Sequence, residues 1–196
     1  MDPLDLPEDA GRILTGLARS VIAADLGVAV TPPEEPAWLA RRGASFVTLT
    51  RAGVLRGCIG STSAVRPLGD DVRINARGAA FRDPRFLPLQ RRELAATEIE
   101  VSVLSASTPI TWRNEADAVR QLRPGIDGLV LEYAGRRATF LPQVWAKLPG
   151  PADFLSGLKR KLGLPATFWA DDVRLSRYVV RAFHEPNHQA LPEEQS

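Results

Sequence analysis

The sequence predicts an α+β fold in which a mainly antiparallel sheet is flanked by helices. Two pairs of short β-rich segments are each joined by a few residues, as in β-hairpins: 44–50 with 54–60, and 128–133 with 138–141. Helical segments lie before, between and after these pairs, without the regular strand and helix alternation of a parallel sheet. This order of elements favours an antiparallel sheet.

Helical periodicity predicts the elements of the first half of the chain. Within 6–26 the apolar residues recur at helical spacing, which predicts an amphipathic opening helix. The proline-rich segment 31–36 breaks it, and a short helical turn is expected at 38–42. A second apolar stripe predicts a helix over 67–81, with Pro67 in its first turn.

The second half of the chain mixes strands with short helices. Residues 97–105 alternate between apolar and polar side chains, which predicts a half-buried strand. Its apolar face carries Ile99, Val101 and Val103, and its polar face carries Glu98, Glu100 and Ser102. A helix capped by Asn114 is expected over 114–122. Two further helices, 142–148 and 151–162, begin at prolines.

The loops and the last strand complete the prediction. The first hairpin is expected to turn through the three residues 51–53, and the second through residues 134–137. Residues 176–184 alternate again and predict one last strand. That strand would place Tyr178, Val180, Ala182 and His184 on one side.

Length and composition bound the class of protein. The chain of 196 residues is 44% apolar and fits one domain with a substantial core. We place this domain at 11–186, in one body or two lobes, between tails at 1–10 and 187–196. A single cysteine excludes an internal disulfide, and no Cys and His spacing resembles a zinc site. An acidic start and the lack of a long apolar run favour a cytoplasmic protein without a membrane span.

The charge is unevenly distributed along the chain. The net charge is +2, but residues 41–92 hold eleven Arg and three Asp. Such a segment could form a surface for nucleic acid. However, 22 of the 25 basic residues are Arg and they are spread along the whole chain, so a solvated, salt-bridged face is the favoured interpretation.

Residues 54–61, which contain Leu-Arg-Gly-Cys-Ile-Gly at 55–60, form the most unusual segment. In a strand, Arg56 and Cys58 point to the same face, about 6.6 Å apart. A permanent positive charge nearby favours a thiolate, which would make Cys58 nucleophilic. Gly57 and Gly60 indicate a bulge, or the close approach of another backbone or a ligand. The alternative is that Cys58 is simply a small buried hydrophobe.

Other polar residues could join this site as binding residues. Asn75 lies on an apolar helical stripe and must find a partner, either in the sheet or in a ligand. Asp83 and Arg85 flank a proline, which suits a fixed ion pair or the binding of an anionic substrate through Arg85. Glu100 and Ser102 would share a surface with Cys58 if their strands were neighbours, and Glu100 could then act as an acid or base.

Histidine and cofactor motifs give little support to other chemistry. His184 could reach a site only if the last strand adjoins it, and His188 falls in the predicted tail. The two are not spaced as a metal pair, so no metal site is expected. The chain has no glycine-rich phosphate-binding motif, and the cofactor stays unknown.

Several of these segments together resemble the AMMECR-type domain. They are residues 55–60, the stretch from Asn75-Ala76 to Asp83-Pro84-Arg85-Phe86, and residues 99–104. Residues 125–129 and 139–145 are similar to the branch called AmmeMemoRadiSam system protein A. The resemblance runs from about Gly11 to Glu185. It implies an α+β fold of a larger and a smaller lobe, and association with a Memo-like protein and a radical S-adenosylmethionine protein.

The leading functional hypothesis is a thiol-dependent enzyme or enzyme component. Cys58 would be the nucleophile, activated by Arg56, and an anionic small molecule would be the substrate. The family's signature centres on the Leu-Arg-Gly-Cys-Ile-Gly motif, which strengthens this hypothesis. The alternative is a non-catalytic adaptor that docks to the Memo-like or radical partner, and a nucleic-acid-binding regulator is a third. A homodimer is compatible with each.

Overall fold

A computed structural model describes residues 5–185 of the chain. Residues 1–4 of the predicted first tail lie outside the described residues, as do the predicted tail 187–196 and His188. The α-helices of the described part are α1 (Ala10–Asp25), α2 (Leu68–Phe81), α3 (Glu115–Arg120) and α4 (Pro151–Lys161). Within residues 5–185, no helix is both long enough and apolar enough to cross a membrane.

The described strands and short helices alternate with these α-helices. The strands are β1 (Arg42–Arg51), β2 (Val54–Gly60), β3 (Arg66–Pro67), β4 (Glu98–Leu104), β5 (Thr108–Pro109), β6 (Gly128–Tyr133), β7 (Arg136–Phe140), β8 (Arg174–Tyr178) and β9 (Val180–His184). Short 3₁₀-helices cover Ala37–Ala40, Arg91–Ala96 and Pro142–Ala146.

These elements form two compact units, each with its own sheet. The first unit comprises residues 5–103 and 182–185 of the described chain, and the second comprises residues 104–181. One sheet has five strands in the order β2-β1-β4-β9, with β3 paired to β1, and the other has four in the order β5-β8-β6-β7. β1 pairs with β2 and β3, and β8 with β5 and β6, in antiparallel fashion. The predicted α+β class, with antiparallel sheets flanked by helices, is confirmed.

The core of the first unit holds α2 against β1 and β2. The predicted stripe of α1 is buried, with Leu14 and Ile22 fully inaccessible, and α1 packs against α2. α2 buries Val72 and Ala76 completely and packs on both strands of the first hairpin. A large apolar side chain removed from water contributes about 1.5–3 kcal/mol, so this core fixes the position of β2.

The core of the second unit forms between its sheet and α4. Phe154, Leu155 and Leu158 of α4 are fully buried. The Trp145 ring stacks on Phe154 with centroids 3.7 Å apart, and its indole Nε1 donates to the Asp127 carbonyl at 2.7 Å. Both polar and apolar parts of Trp145 are therefore satisfied in the core.

Both hairpin turns are shorter than the sequence predicts. Ala52 and Gly53 have φ angles of 49° and 74°, and Ala134 and Gly135 have φ angles of 48° and 73°. Two consecutive left-handed residues form a two-residue type I′ turn, whose twist matches that of the strands. The predicted loops 51–53 and 134–137 were wrong because alanine at the first turn position hides this signal.

The predicted strand 176–184 is two strands in two different sheets. β8 ends at Tyr178 and belongs to the four-stranded sheet, whereas β9 begins at Val180 and belongs to the five-stranded sheet. Val179 lies between them and exchanges hydrogen bonds with Ser105. No glycine or proline marks the break, so the unbroken alternation of side chains conceals it.

Other boundaries differ in smaller ways. The predicted turn at 38–42 is a 3₁₀-helix over Ala37–Ala40, and β1 already begins at Arg42. Pro67 has extended backbone angles and precedes α2 as its N-cap instead of lying in the first turn. The prediction for 142–148 was too long, since only a 3₁₀-helix over Pro142–Ala146 forms there.

Candidate functional site

The segment Leu-Arg-Gly-Cys-Ile-Gly lies in β2, at the edge of the five-stranded sheet. α2 approaches β2 so closely that a Cβ on Gly57 would lie 2.1 Å from the Ala79 carbonyl oxygen. From the helix side, a Cβ on Gly78 would lie 2.8 Å from Ile59. Gly57 thus allows the backbone of α2 to come close, which is the approach of another backbone that the sequence indicates.

Gly60 admits a side chain of the neighbouring strand. A Cβ on Gly60 would lie 2.2 Å from the ring of Phe46, its partner in β1. Any larger residue at this position would displace the ring. In this structure the space beside Gly57 and Gly60 is therefore filled by the protein itself.

Arg56 occupies a bulge in β2. Leu49 pairs with Gly57 and Thr50 pairs with Leu55, which leaves Arg56 as the additional residue. Such a bulge changes the direction of its side chain relative to a regular strand. The regular alternation of side chains, which predicts Arg56 and Cys58 on one face, is therefore interrupted at Arg56.

The guanidinium of Arg56 binds Glu93. Arg56 Nε and Nη2 donate to Glu93 Oε1 and Oε2, both at 3.1 Å. Arg51 Nη1 and the backbone N–H of Gln90 also donate to this carboxylate. Chiefly because of the Arg56 hydrogen bonds, the pKa of Glu93 is lowered to about 2. Glu93, which the sequence does not single out, therefore balances the charge of Arg56.

Asp83 and Arg85 bind the backbone of Cys58. The Cys58 N–H donates to Asp83 Oδ2 at 2.9 Å, and Arg85 Nη2 donates to the Cys58 carbonyl at 3.3 Å. The two side chains also pair with each other, since Arg85 Nε donates to Asp83 Oδ1 at 2.9 Å and Nη2 to Oδ2 at 2.6 Å. They form the fixed ion pair that the sequence suggests, and it caps the free edge of β2.

Electrostatics hold this pair in its charged form. The hydrogen bonds from Arg85 hold the pKa of Asp83 well below its usual range, and the Cys58 N–H adds to this effect. The pKa of Arg85 is raised, first by its hydrogen bonds with Asp83 and to a lesser degree by the negative charge of that carboxylate. Asp83 is buried while the Arg85 side chain is 54% exposed, so Arg85 can meet a ligand.

The Cys58 thiol lies on the face of β2 opposite to α2. Cys58 is partly exposed, and it faces Thr48 in the register of β1 and β2. Thr48 Oγ1 donates to Cys58 Sγ at 3.4 Å. The thiol is thus oriented by a neutral hydroxyl, another residue that the sequence does not single out.

Glu100 and Ser102 lie on the same face as Cys58 but not on an adjacent strand. Thr50, two residues from Thr48, donates to Glu98 at 3.2 Å, which fixes the shared face of β1 and β4. β1 lies between β2 and β4, so two strand spacings, about 10 Å, separate the Cys58 strand from the Glu100 strand. The neighbouring arrangement considered from the sequence does not occur.

Glu100 forms a small polar group with two other residues. Ser102, which is buried, donates to Glu100 Oε1 at 2.9 Å. His184 Nδ1 of β9 lies 3.6 Å from Glu100 Oε2. A carboxylate, a hydroxyl and an exposed imidazole therefore meet on the face of the sheet that also carries Cys58.

Asn75 belongs to a buried hydrogen-bond network on the other face of the sheet. Its Nδ2 donates to the Ser45 carbonyl and to Asp71 Oδ2, each at 2.9 Å. Asp71 is fully buried and also accepts from the N–H and hydroxyl of Ser45 and from Ser61. Of the two partners weighed for Asn75, the structure shows the sheet. Asp71 stands four residues before Asn75 on α2, a spacing that could have indicated the pair.

The described residues show no metal-binding cluster. Among residues 5–185, no three His, Cys, Asp or Glu side chains are placed together so that they could hold a metal ion. On the face of the sheet opposite to α2, the groups available for chemistry are the thiol of Cys58 and, two strands away, the carboxylate of Glu100. Arg85 lies beside the backbone of Cys58 at the edge of β2.

Comparison with known proteins shows the family of the chain. The model of the AMMECR1 family matches residues 15–183. A protein of Methanothermobacter thermautotrophicus is 37% identical, with 92% of this chain and 96% of that protein covered. Protein Ta0236 of Thermoplasma acidophilum is 31% identical, with 98% and 96% covered.

A solved structure agrees with this relationship. The crystal structure of the uncharacterized protein PH0010 from Pyrococcus horikoshii is similar, with a TM-score of 0.78 and 32% identity. The similarity covers 92% of this chain and 93% of that chain. The family model over residues 15–183 and the similarity to these proteins show that the chain belongs to the AMMECR1 family.

Proposed function

We propose that the protein is a thiol-dependent enzyme, or the thiol-bearing component of one, in which Cys58 is the nucleophile. The observation that carries this proposal is that the other polar and glycine residues of the motif already serve contacts within the protein. Arg56 binds Glu93, Gly57 admits α2, and Gly60 admits Phe46. The backbone of Cys58 is held as well, so its partly exposed thiol is the group of the motif left for chemistry.

In this proposal the residues around Cys58 have distinct roles. Thr48 orients the sulfur through its hydrogen bond. Arg85, whose side chain is half exposed, binds an anionic group of the substrate, and Asp83 positions Arg85. Arg56, to which the sequence assigns activation of the thiol, pairs its guanidinium with the carboxylate of Glu93.

Glu100 serves as the acid or base of the proposed reaction. At about 10 Å, its strand is too distant for direct proton transfer with the thiol, so the substrate would span the face over Thr48. His184 lies next to Glu100 and is exposed to solvent. The substrate class is then a small anionic molecule, and the resemblance to the AmmeMemoRadiSam branch supplies a Memo-like and a radical S-adenosylmethionine protein as partners.

Alkylation of the single cysteine tests the proposal directly. Iodoacetate carries the anionic group that Arg85 should attract, whereas iodoacetamide is its neutral counterpart. Relative to glutathione at the same pH, Cys58 should prefer iodoacetate by about threefold to tenfold, since a charge-assisted contact is worth about 1 kcal/mol. Arg85→Gln should abolish this preference and Arg85→Lys should retain part of it.

A matched control separates a local effect from a change in net charge. Arg77→Gln removes the same charge from a fork with Asp25 on the surface of α2 and should leave the preference unchanged. A preference equal to that of glutathione, or one that both variants reduce equally, would contradict the role of Arg85.

Exposed apolar residues favour a second candidate, a non-catalytic adaptor. Val54 of β2 is 69% exposed and Leu87 is 80% exposed. If the protein acts only by docking, Cys58→Ser should retain association with a partner and its cellular effect. Val54→Ser with Leu87→Ser should abolish both, and a loss with Cys58→Ser alone would argue for the thiol.

A further inference from the structure

The second unit contains a polar cavity that is independent of Cys58. It has a volume of about 370 Å³. Its lining residues come from the loop after β4, from β5, from the loop after α3, and from β8 and the residue that follows it. Its polar lining side chains are Ser105, Thr108, Arg123, Arg177 and Tyr178, and the Tyr178 hydroxyl is already bonded to Thr139 and to the Phe140 carbonyl. The two guanidiniums and the hydroxyls of Ser105 and Thr108 therefore line one space, and no carboxylate is among the lining residues.

A buried carboxylate lies behind the two arginines. Asp127 is fully buried, and Arg123 donates to its Oδ1 through Nε at 2.9 Å and Nη2 at 2.6 Å. The Arg123 N–H donates to Oδ2 at 3.0 Å. These bonds fix the Arg123 side chain while its outer edge stays half exposed. A guanidinium held in advance loses little conformational freedom when it binds an anion.

Arg177 makes fewer side-chain hydrogen bonds than Arg123 does. Its Nη1 donates to the Gln121 carbonyl at 3.1 Å and lies 3.9 Å from Asp127 Oδ2, beyond hydrogen-bond distance. One carboxylate balances one guanidinium, so the pair of arginines around Asp127 retains one net positive charge. This charge is partly shielded from solvent, since the Arg177 side chain is 32% exposed.

The register of the sheet gives a second reason to regard Arg177 as functional. Arg177 pairs with Leu129, and Leu175 pairs with Leu131, so Arg177 stands on the face of β8 that builds the apolar core. A charge on such a face is costly unless it is paired or used. Thr108, its partner in β5, adds a hydroxyl on the same face.

We propose that this cavity binds the oxyanion group of a small molecule, with Arg177 as the principal ligand and Arg123 as the preorganised second ligand. Both carboxylate and phosphate match the planar fork of a guanidinium. The retained positive charge, the two forks and the hydroxyl groups are the chemistry that recognises such a group. The site does not depend on the thiol or on its reaction.

Calorimetric titration of the full chain with inorganic phosphate, and separately with citrate, tests this site. One of the two should bind saturably with a Kd of about 1 mM or below. Arg177→Gln should weaken that binding by about tenfold or more, and Arg177→Lys by less, because lysine keeps the charge but not the fork. Whichever anion binds identifies phosphate or carboxylate as the recognised group.

Two control variants keep the result specific. Arg160→Gln removes an exposed charge at the end of α4, outside the cavity, and should bind as the wild type does. Cys58→Ser should also bind normally, which separates this site from the thiol. The proposal is overturned if neither anion binds, or if Arg160→Gln and Arg177→Gln weaken binding equally. Circular dichroism of each variant establishes that it is folded.

Discussion

Asp83 and Arg85 form a two-pronged ion pair, and two of its paired atoms, Asp83 Oδ2 and Arg85 Nη2, also bind the N–H and the carbonyl of Cys58. An adjacent strand would offer β2 the same pattern, one acceptor and one donor. The pair thus takes the place of a neighbouring strand at the edge of the sheet. It fixes the backbone that carries the thiol and blocks the pairing of another chain at that position.

Replacement of Asp83 should therefore weaken the fold and uncover the edge. Asp83→Ala leaves the Cys58 N–H without its acceptor, and we expect a loss of about 2–3 kcal/mol in the free energy of unfolding. Urea denaturation measures this loss, and light scattering should show self-association. Asp25→Ala is the control, because Asp25 forms a similar fork with Arg77 on the surface and should cost less than about 1 kcal/mol. Equal losses would contradict the edge role of Asp83.

Gly57 should be among the least replaceable residues of the motif for reasons of packing. A Cβ at this position would meet the Ala79 carbonyl at 2.1 Å, and a helix backbone cannot move away cheaply. We expect Gly57→Ala to destabilise by about 3 kcal/mol or more, measured by thermal or urea unfolding. Gly16→Ala in α1 meets only Pro33 at 3.5 Å and should be neutral or stabilising by about 0.5–1 kcal/mol. A small effect at Gly57 would mean that α2 does not approach β2 so closely.

Local patterns made most of the fold predictable. The stripe of α1 and the alternation of β4 depend on residues within the element, so their periodicity reveals them. The division of 176–184 into two strands depends on which sheet each half joins. No local residue records that choice, since Val179 is neither a glycine nor a proline.

The residue types of the candidate site were predictable from the sequence, but the contacts between these residues were not. The unusual composition of residues 55–60 indicates Cys58. However, Arg56 binds Glu93, which is 37 residues away, and the Cys58 N–H binds Asp83, which is 25 residues away. The bulge at Arg56 also depends on pairing with β1 and leaves no clear signal in the strand itself. Long-range contacts of this kind need the folded structure.

Asn75 offers a test that separates structure from ligand binding. Asn75→Ala removes a donor from Ser45 and Asp71 in a buried network, and should cost about 1–3 kcal/mol in the free energy of unfolding. Because the network lies on the helix side of the sheet, the rate of Cys58 alkylation should not change. Asn75→Asp should cost more at neutral pH, since it places a second carboxylate beside Asp71. If the Asn75→Ala protein is folded but its rate of Cys58 alkylation is altered, the result would favour a role of Asn75 on the side of the sheet that carries the thiol.

The ion pair of Arg56 with Glu93 predicts how stability depends on pH. The pKa of Glu93 is about 2 in the folded protein against an ordinary value of 4.5. The unfolded chain therefore binds this proton more readily, so the stabilisation is fully present above about pH 4.5 and is lost as the pH falls towards 2. Asp83, whose pKa is also lowered by its arginine, adds a loss of the same sign at still lower pH.

In urea titrations at successive pH values, the stability difference between the wild type and Glu93→Gln should shrink between about pH 4.5 and pH 2. Glu98→Gln, which alters an exposed carboxylate bonded to Thr50, is the control and should show a small difference that changes little. A difference at Glu93 that stays constant down to pH 2 would show that the carboxylate does not depend on Arg56 for its charge.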